Sequence, residues 1–201
     1  MWRGDKDSWE EMDEGKVSME SVTMRIKVSQ NVVEIKMSGR GNKVFIRFSL
    51  DCKERCIETN NSTLNKILSD ISYHGGFGLI VKAENNNDVY SIVSEMLGIC
   101  IREVFDKRHR AGYSKVGNFV SSNGKGMVMF SLNIISQVPN EYMTIKMLGN
   151  KKALDSILWL FLNGLCKGIQ SDVKLVLTGP TNYKLFSISI GKSIRQLFTG
   201  I

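Results

Sequence analysis

Two stretches of this chain repeat one another. GLIVKAENNNDVYSIVSEMLGICIREVF, at 78–105, and VKLVLTGPTNYKLFSISIGKSIRQLF, at 173–198, each run from an apolar strand through a polar turn with Asn to Tyr-x-x-x-Ser at the opening of a helix. An internal repeat restricts the fold to one supersecondary unit used twice. Each unit has a sheet face and helix stripes to bury, so the two halves must pack against each other in layers.

The residues around the repeat supply the other elements. Segments 22–29 and 32–38 alternate apolar and polar residues about Gln30-Asn31, which predicts a hairpin. A strand at 44–51, a helix at 62–73, a strand at 77–84 and a helix at 88–105 follow. The first helix carries Leu64, Ile67, Leu68 and Ile71 at helical spacing, is capped by Asn61 or Ser62, and ends at Gly75-Gly76. The second carries one apolar stripe of Val89, Ile92, Val93, Met96, Leu97, Cys100 and Val104. After a glycine-rich linker at 112–126 the order returns, with strands at 127–135 and 141–148, a helix at 151–168, a strand at 172–178 and a helix at 182–198. The predicted class is α+β. Two tandem βαβα-type half-domains, 21–111 with the hairpin as an addition and 127–201, each form a small mixed sheet covered on one face by two helices.

Charge separates the first twenty residues from the rest. Residues 1–20 hold Asp5, Asp7, Glu10, Glu11, Asp13, Glu14 and Glu20 against Arg3, Lys6 and Lys16, a net of −4, so a chain of net +7 leaves +11 on the body. An acidic leader without apolar periodicity is expected to be a mobile tail. Trp2 and Trp9 within it suggest a docking peptide for a protein partner, or an arm folded over the body's own basic face. No apolar run approaches the ~20 residues needed to cross a bilayer, and the leader has the wrong charge for a secretory signal. A soluble cytoplasmic protein with no membrane partner is expected. Cys52, Cys56, Cys100 and Cys166 lack metal-knuckle spacing and read as free, mostly buried thiols.

Around the first repeat the chain reads TLNKIL (63–68), HGGFGL (74–79), NDVYSIVSE (87–95) and DKRHRAGYSKVG (106–117). This order resembles the block FLDHML, HGxFDL, DxHHTxED and DKRGI-x-RFG of the imidazoleglycerol-phosphate dehydratases, a family with the ribosomal protein S5 domain 2-like fold. VFIRFSLD (44–51) and CIETNNSTL (56–64) resemble that family's first strand and its TGIGFL lead-in, and 127–197 can be laid more loosely on its second half. The resemblance implies the same two-half fold.

It also implies where the chemistry would be. The family holds two manganese ions between subunits with a DHM histidine, the HGxFD histidine and two HHxxE helix starts, adjacent imidazoles and a carboxylate one turn later converging on one metal. Here the DHM histidine is replaced by Lys66, the first HHxxE by Tyr90, Ser91 and Ser94, and the second by Tyr183, Lys184 and Ser187. His74 alone is retained. Ser136-Gln137-Val138-Pro139 stands where the family has SGRP, and Ile190-Gly191, with Lys192 beside it, where it has Phe-Lys. The expectation is a degenerate member with its metal ligands and dehydratase activity lost, no cofactor and no catalytic residue. With His109 as the other imidazole, no nucleophile and base pair can be assembled. His74 reads as a helix-end residue donating to carbonyls. Gly39-Arg40-Gly41 and Gly124-Lys125-Gly126 read as turns, since neither has the context of a phosphate loop.

What remains is basic. Lys107, Arg108, Arg110 and Lys115 cluster at a helix end, where cations complement the helix dipole and are also placed for phosphate. Lys151, Lys152, Lys184, Lys192 and Arg195 would enlarge that polyanion-binding face if the repeat brought them to one side. The expected function is a non-catalytic binding or scaffold subunit, accessory to an assembly that handles nucleic acid, with nonspecific DNA or RNA contact. One alternative is an enzyme of changed specificity acting on a phosphorylated small molecule in a cleft around Lys66, His74 and Tyr90. Another is a structural self-assembler, a homo-oligomer without the family's metal-bridged assembly.

Overall fold

The computed structural model describes residues 22–39, 41–84, 88–137, 145–149, 155–180 and 182–199. The first half comprises β1 (Thr23–Val28), β2 (Val32–Gly39), β3 (Asn42–Ser49), β4 (Arg55–Glu58), α1 (Ser62–Gly75), β5 (Gly78–Glu84) and α2 (Val89–Arg108). The second comprises β6 (Ser114–Asn123), β7 (Gly126–Ile135), β8 (Ile145–Gly149), α3 (Ser156–Ile169), β9 (Asp172–Thr178) and α4 (Tyr183–Phe198). The five-stranded sheet has the order β1-β2-β3-β5-β4 and the four-stranded sheet β6-β7-β9-β8. Without β1, the added hairpin strand, the two are identical in order and direction: two antiparallel pairs and then a parallel pair, β4 with β5 and β8 with β9.

The repeating unit is therefore βββαβα, longer than the sequence pattern suggested. The expected linker at 112–126 is largely β6, fully paired with β7 from Ser114↔Ile135 to Asn123↔Gly126. Its pattern is inverted: the helix-facing side carries Gly117 and Ser121, both buried, while Val116 and Val120 face solvent. Small polar residues inward and valines outward conceal a strand from any search for an apolar face. β4 is short and carries Arg55 and Glu58 exposed at its ends, so it too lacked a signal. Of the strand expected at 141–148, the described part is β8, and 151–154 of the expected third helix lie outside the described residues.

The helices form the inner layers. α2 packs against α3 and α1 against α4, so the two helix layers meet and the sheets face outward. Aligning Tyr90 with Tyr183 pairs Gly98 with Gly191, and both are points of close helix crossing. A Cβ at Gly98 would lie 2.5 Å from Leu165 O and 2.8 Å from Ile169 N, and one at Gly191 would lie 2.5 Å from Ile71 O and 3.0 Å from Gly75 N. Leu165 and Ile169 occupy in α3 the places of Ile71 and Gly75 in α1, so the two contacts are copies of each other. Phe48, Phe77, Phe105, Phe130, Phe161 and Phe186 fill the core from both halves.

The halves differ where helix meets sheet. Val33, Met37, Met96 and Cys100 stand between α2 and β2; the corresponding residues between α4 and β6 are Gly117, Ser121, Ser189 and Ser193. The serines bond across the gap. Ser189 Oγ donates to Val128 O at 2.9 Å, Ser193 Oγ to Phe130 O at 2.9 Å, and Ser121 Oγ to Leu185 O at 2.6 Å. Gly117 leaves room for the backbone oxygen of Ser193, which a Cβ would overlap. α4 consequently lies lower on its sheet than α2 does.

Candidate functional site

The two helix starts of the repeat share one arrangement. Asn61 caps α1, accepting from Leu64 N at 3.0 Å, and its Oδ1 also accepts the Tyr90 hydroxyl at 2.8 Å. Asp155 caps α3, accepting from Leu158 N at 2.9 Å, and its other oxygen takes a very short hydrogen bond from the Tyr183 hydroxyl. That bond, with burial, pushes the Tyr183 phenol up to about 12. One turn on, Ser94 Oγ donates to Ser91 O at 3.0 Å and Ser187 Oγ to Tyr183 O at 2.8 Å, so both hydroxyls turn back into their own helices. Tyr90, Tyr183, Ser94 and Ser187 thus serve helix caps and backbone.

His74 lies in the last turn of α1. The end of that helix is closed by Gly76, whose left-handed backbone (φ 70°) directs its N–H to Ser72 O at 3.0 Å and Tyr73 O at 3.3 Å. His74 faces α4, where burial lowers its imidazole below the ordinary 6.5; Asp70 opposes that shift, and Lys192 and Lys184 add to it. Lys66 is exposed on the same helix, and Tyr90 is at its other end, about 20 Å from His74 along the axis at 1.5 Å per residue. The three residues expected around one cleft are therefore apart, Lys66 and His74 on α1 and Tyr90 of α2 against its start. Among the described residues no group of three or more His, Cys, Asp or Glu could hold a metal ion. With tyrosines on the caps and lysines facing the single imidazole, these donors do not fit a divalent metal.

The basic residues divide into two sets. Lys107 and Arg108 extend α2 beyond its expected end, Arg108 reaching Asn31 Oδ1 at 3.3 Å, and Arg110 is exposed in the following turn. Lys115 Nζ donates to Thr199 O at 2.7 Å beyond α4; burial, and then the neighbouring Arg108 cation, lower its pKa. Lys184, Lys192 and Arg195 lie on α4, the first two beside His74 and Arg195 beside Gly76. Trp2, Trp9, Lys151 and Lys152 lie outside the described residues. His109 completes the end of α2: its Nδ1 is 2.9 Å from Phe105 O and its ring stacks on Tyr113 at 4.4 Å. Asp106 pairs with buried Arg102 at 2.7 Å and accepts from Gln137 N at 2.8 Å. Cys100 and Cys166 are buried, with burial pushing Cys166 up to about 12, whereas Cys52 is exposed and Cys56 half-buried.

Grouping cations by nearness in sequence missed those gathered by strand register. Arg25 of β1 lies opposite Lys36 of β2, Lys36 opposite Phe45 of β3, and Phe45 opposite Lys82 of β5, in one row on the solvent face of the five-stranded sheet. Alternation marks each of them as outward, but only pairing puts them in line.

No protein-family model matches this sequence, and no curated protein matches it at a significant level. Solved structures do. Imidazoleglycerol-phosphate dehydratase from Pyrococcus furiosus, solved in complex with (S)-C348, matches with a TM-score of 0.60 at 16% identity, over 80% of this chain and 91% of that one. The dehydratase from Staphylococcus aureus subsp. aureus N315 matches with a TM-score of 0.58 at 16% identity, over 81% of this chain and 97% of that one. The fold is that of imidazoleglycerol-phosphate dehydratase. Among the described residues, no helix is long and apolar enough to cross a membrane.

Proposed function

We propose that this chain is a non-catalytic binding or scaffold subunit on a dehydratase-like fold, accessory to an assembly that handles nucleic acid. The observation that carries the first part is the paired arrangement of Tyr90 on Asn61 and Tyr183 on Asp155. At both helix starts where the resembling family places adjacent histidines and a glutamate, this chain has residues that tie neighbouring helices together. The pseudo-symmetric framework is kept and its donors are replaced, which is the pattern of a scaffold retained for its shape. The nucleic-acid part is supported by the +11 charge of the body beyond residue 20.

Metal analysis and an activity assay test the first part. Purified protein is expected to carry no stoichiometric manganese and to leave imidazoleglycerol phosphate unchanged; retention of manganese with turnover would overturn the reading. Affinity purification from the native organism, with and without residues 1–20, tests the second. Recovery of a nucleic-acid-processing complex supports it, and recovery of the chain alone in both cases sinks it.

A further inference from the structure

The outer face of the five-stranded sheet holds a feature outside the helix sites. The row Arg25, Lys36, Phe45 and Lys82 crosses four strands, a span of about 14 Å at the usual inter-strand spacing. Lys43 and Glu84 form part of the next row, and together these residues line a groove of about 630 Å³. Phe45 lies half-buried on its floor, and Lys36 Nζ sits 5.9 Å from the ring centroid. Arg25, Lys36, Lys43 and Lys82 are exposed around it.

Two features of this face suit a ligand that is both anionic and flat. Arg25 and Lys36 stand directly opposite each other across an antiparallel pair, which gathers positive charge at one end of the row. An aromatic ring in the middle of a solvent-facing sheet leaves apolar surface in water that a polar residue would avoid. Glu58, opposite Lys82, forms a loose, largely exposed ion pair at 3.9 Å, which is weak competition for an incoming anion. A ring open on one side and edged by cations matches a ligand that alternates flat apolar faces with negative charges, as a single nucleic-acid strand does. A duplex presents the charges and hides the base faces.

We propose that the outer face of the five-stranded sheet binds single-stranded nucleic acid, with a base stacked on Phe45 and the adjoining phosphates on Arg25, Lys36, Lys43 and Lys82. This rests on the nucleic-acid part of the proposed function and gives it a location away from the α2 terminus. Stacking and phosphate contacts of this kind are tolerant of sequence.

Fluorescence anisotropy of the full chain with labelled oligo-dT and oligo-U strands, and with a duplex of equal length, over a series of salt concentrations tests this. The single strands are expected to bind more tightly than the duplex. Phe45→Ala should weaken single-strand binding about tenfold with an unchanged salt slope, and Phe45→Trp should restore it. Lys36→Ala and Lys82→Ala should each lower the salt slope by about 0.7. Circular dichroism and thermal melting establish that each variant is folded. If Phe45→Ala binds like the parent, or if the duplex binds as well as the single strands, the groove assignment fails. Loss of binding in a Lys107→Ala, Arg108→Ala, Arg110→Ala variant with Phe45→Ala unaffected would overturn the groove and leave the nucleic-acid reading standing. Absence of binding to either strand at low salt would remove both.

Discussion

The Tyr90 hydroxyl donates to Asn61 Oδ1 at 2.8 Å, and that same oxygen caps α1 by accepting from Leu64 N. One side chain thus joins the start of α2 to the start of α1, and Tyr183 with Asp155 does the same for α4 and α3. Replacing either tyrosine by phenylalanine keeps the ring and removes the link. Tyr90→Phe is expected to cost about 1 kcal/mol, and Tyr183→Phe about 1.5–3 kcal/mol because its acceptor is a carboxylate. Urea denaturation measures both; equal, negligible losses would show that the caps hold without the tyrosines.

The glycine crossings set a sharper steric test. Gly98→Ala and Gly191→Ala each gain about 1 kcal/mol of helix propensity, yet each new methyl would stand 2.5 Å from a backbone oxygen of the facing helix. Backbone in a packed helix does not yield as a side-chain tip does, so both variants are expected to be destabilised by about 1–3 kcal/mol. Gly124→Ala meets nothing within 4 Å and should stay within about 0.5 kcal/mol of the parent. A melt in which Gly98→Ala is the more stable protein would contradict the close crossing.

Transplanting a residue between the halves tests their difference. Met96 and Ser189 correspond, but Ser189→Met would force a long chain between α4 and β7 and remove the bond to Val128 O. The expected loss is about 2–4 kcal/mol from overpacking and an unmade hydrogen bond. A denaturation midpoint near that of the parent would mean that α4 can rise to the height of α2.

His74 gives the pH dependence its sign. Its folded value lies below the ordinary 6.5, so near and below that pH the unfolded chain binds more protons. His74's contribution to stability is therefore complete above pH 6.5 and is lost as pH falls through the folded value. NMR titration should find the His74 imidazole below 6.5. Lys184→Gln with Lys192→Gln should raise it, and Asp70→Asn should lower it further. A His74 titration at or above 6.5 would disprove the helix–helix environment described for it.

Much of the fold was legible. The hairpin about Gln30-Asn31, the end of α1 at Gly76 and the turn at Gly124 follow from local rules, and in that turn Asn123 Oδ1 accepts from Lys125 N and Gly126 N. β6 was not legible because Gly117 and Ser121 face inward only to admit α4, a reason held in residues some 70 positions away. For the candidate site the sequence offered only a resemblance, which sets Lys66, Tyr90 and Ser187 where that family has ligands. What Tyr90 and Tyr183 do instead was not visible, since Asn61 reads as an ordinary cap and Asp155, the cap of α3, falls inside the helix expected at 151–168.

The sequence by itself determined the doubling and the approximate places of α1, α2 and α4, because propensity, capping and periodicity act over a few residues. Tertiary structure decided the rest. Gly98 and Gly191 became crossing points, Lys107 and Arg108 fell at the end of α2 while Lys184, Lys192 and Arg195 fell on α4, and Arg25, Lys36, Phe45 and Lys82 came into one row. Strand register and helix crossing depend on which distant surfaces pack together, and local chemistry does not specify that.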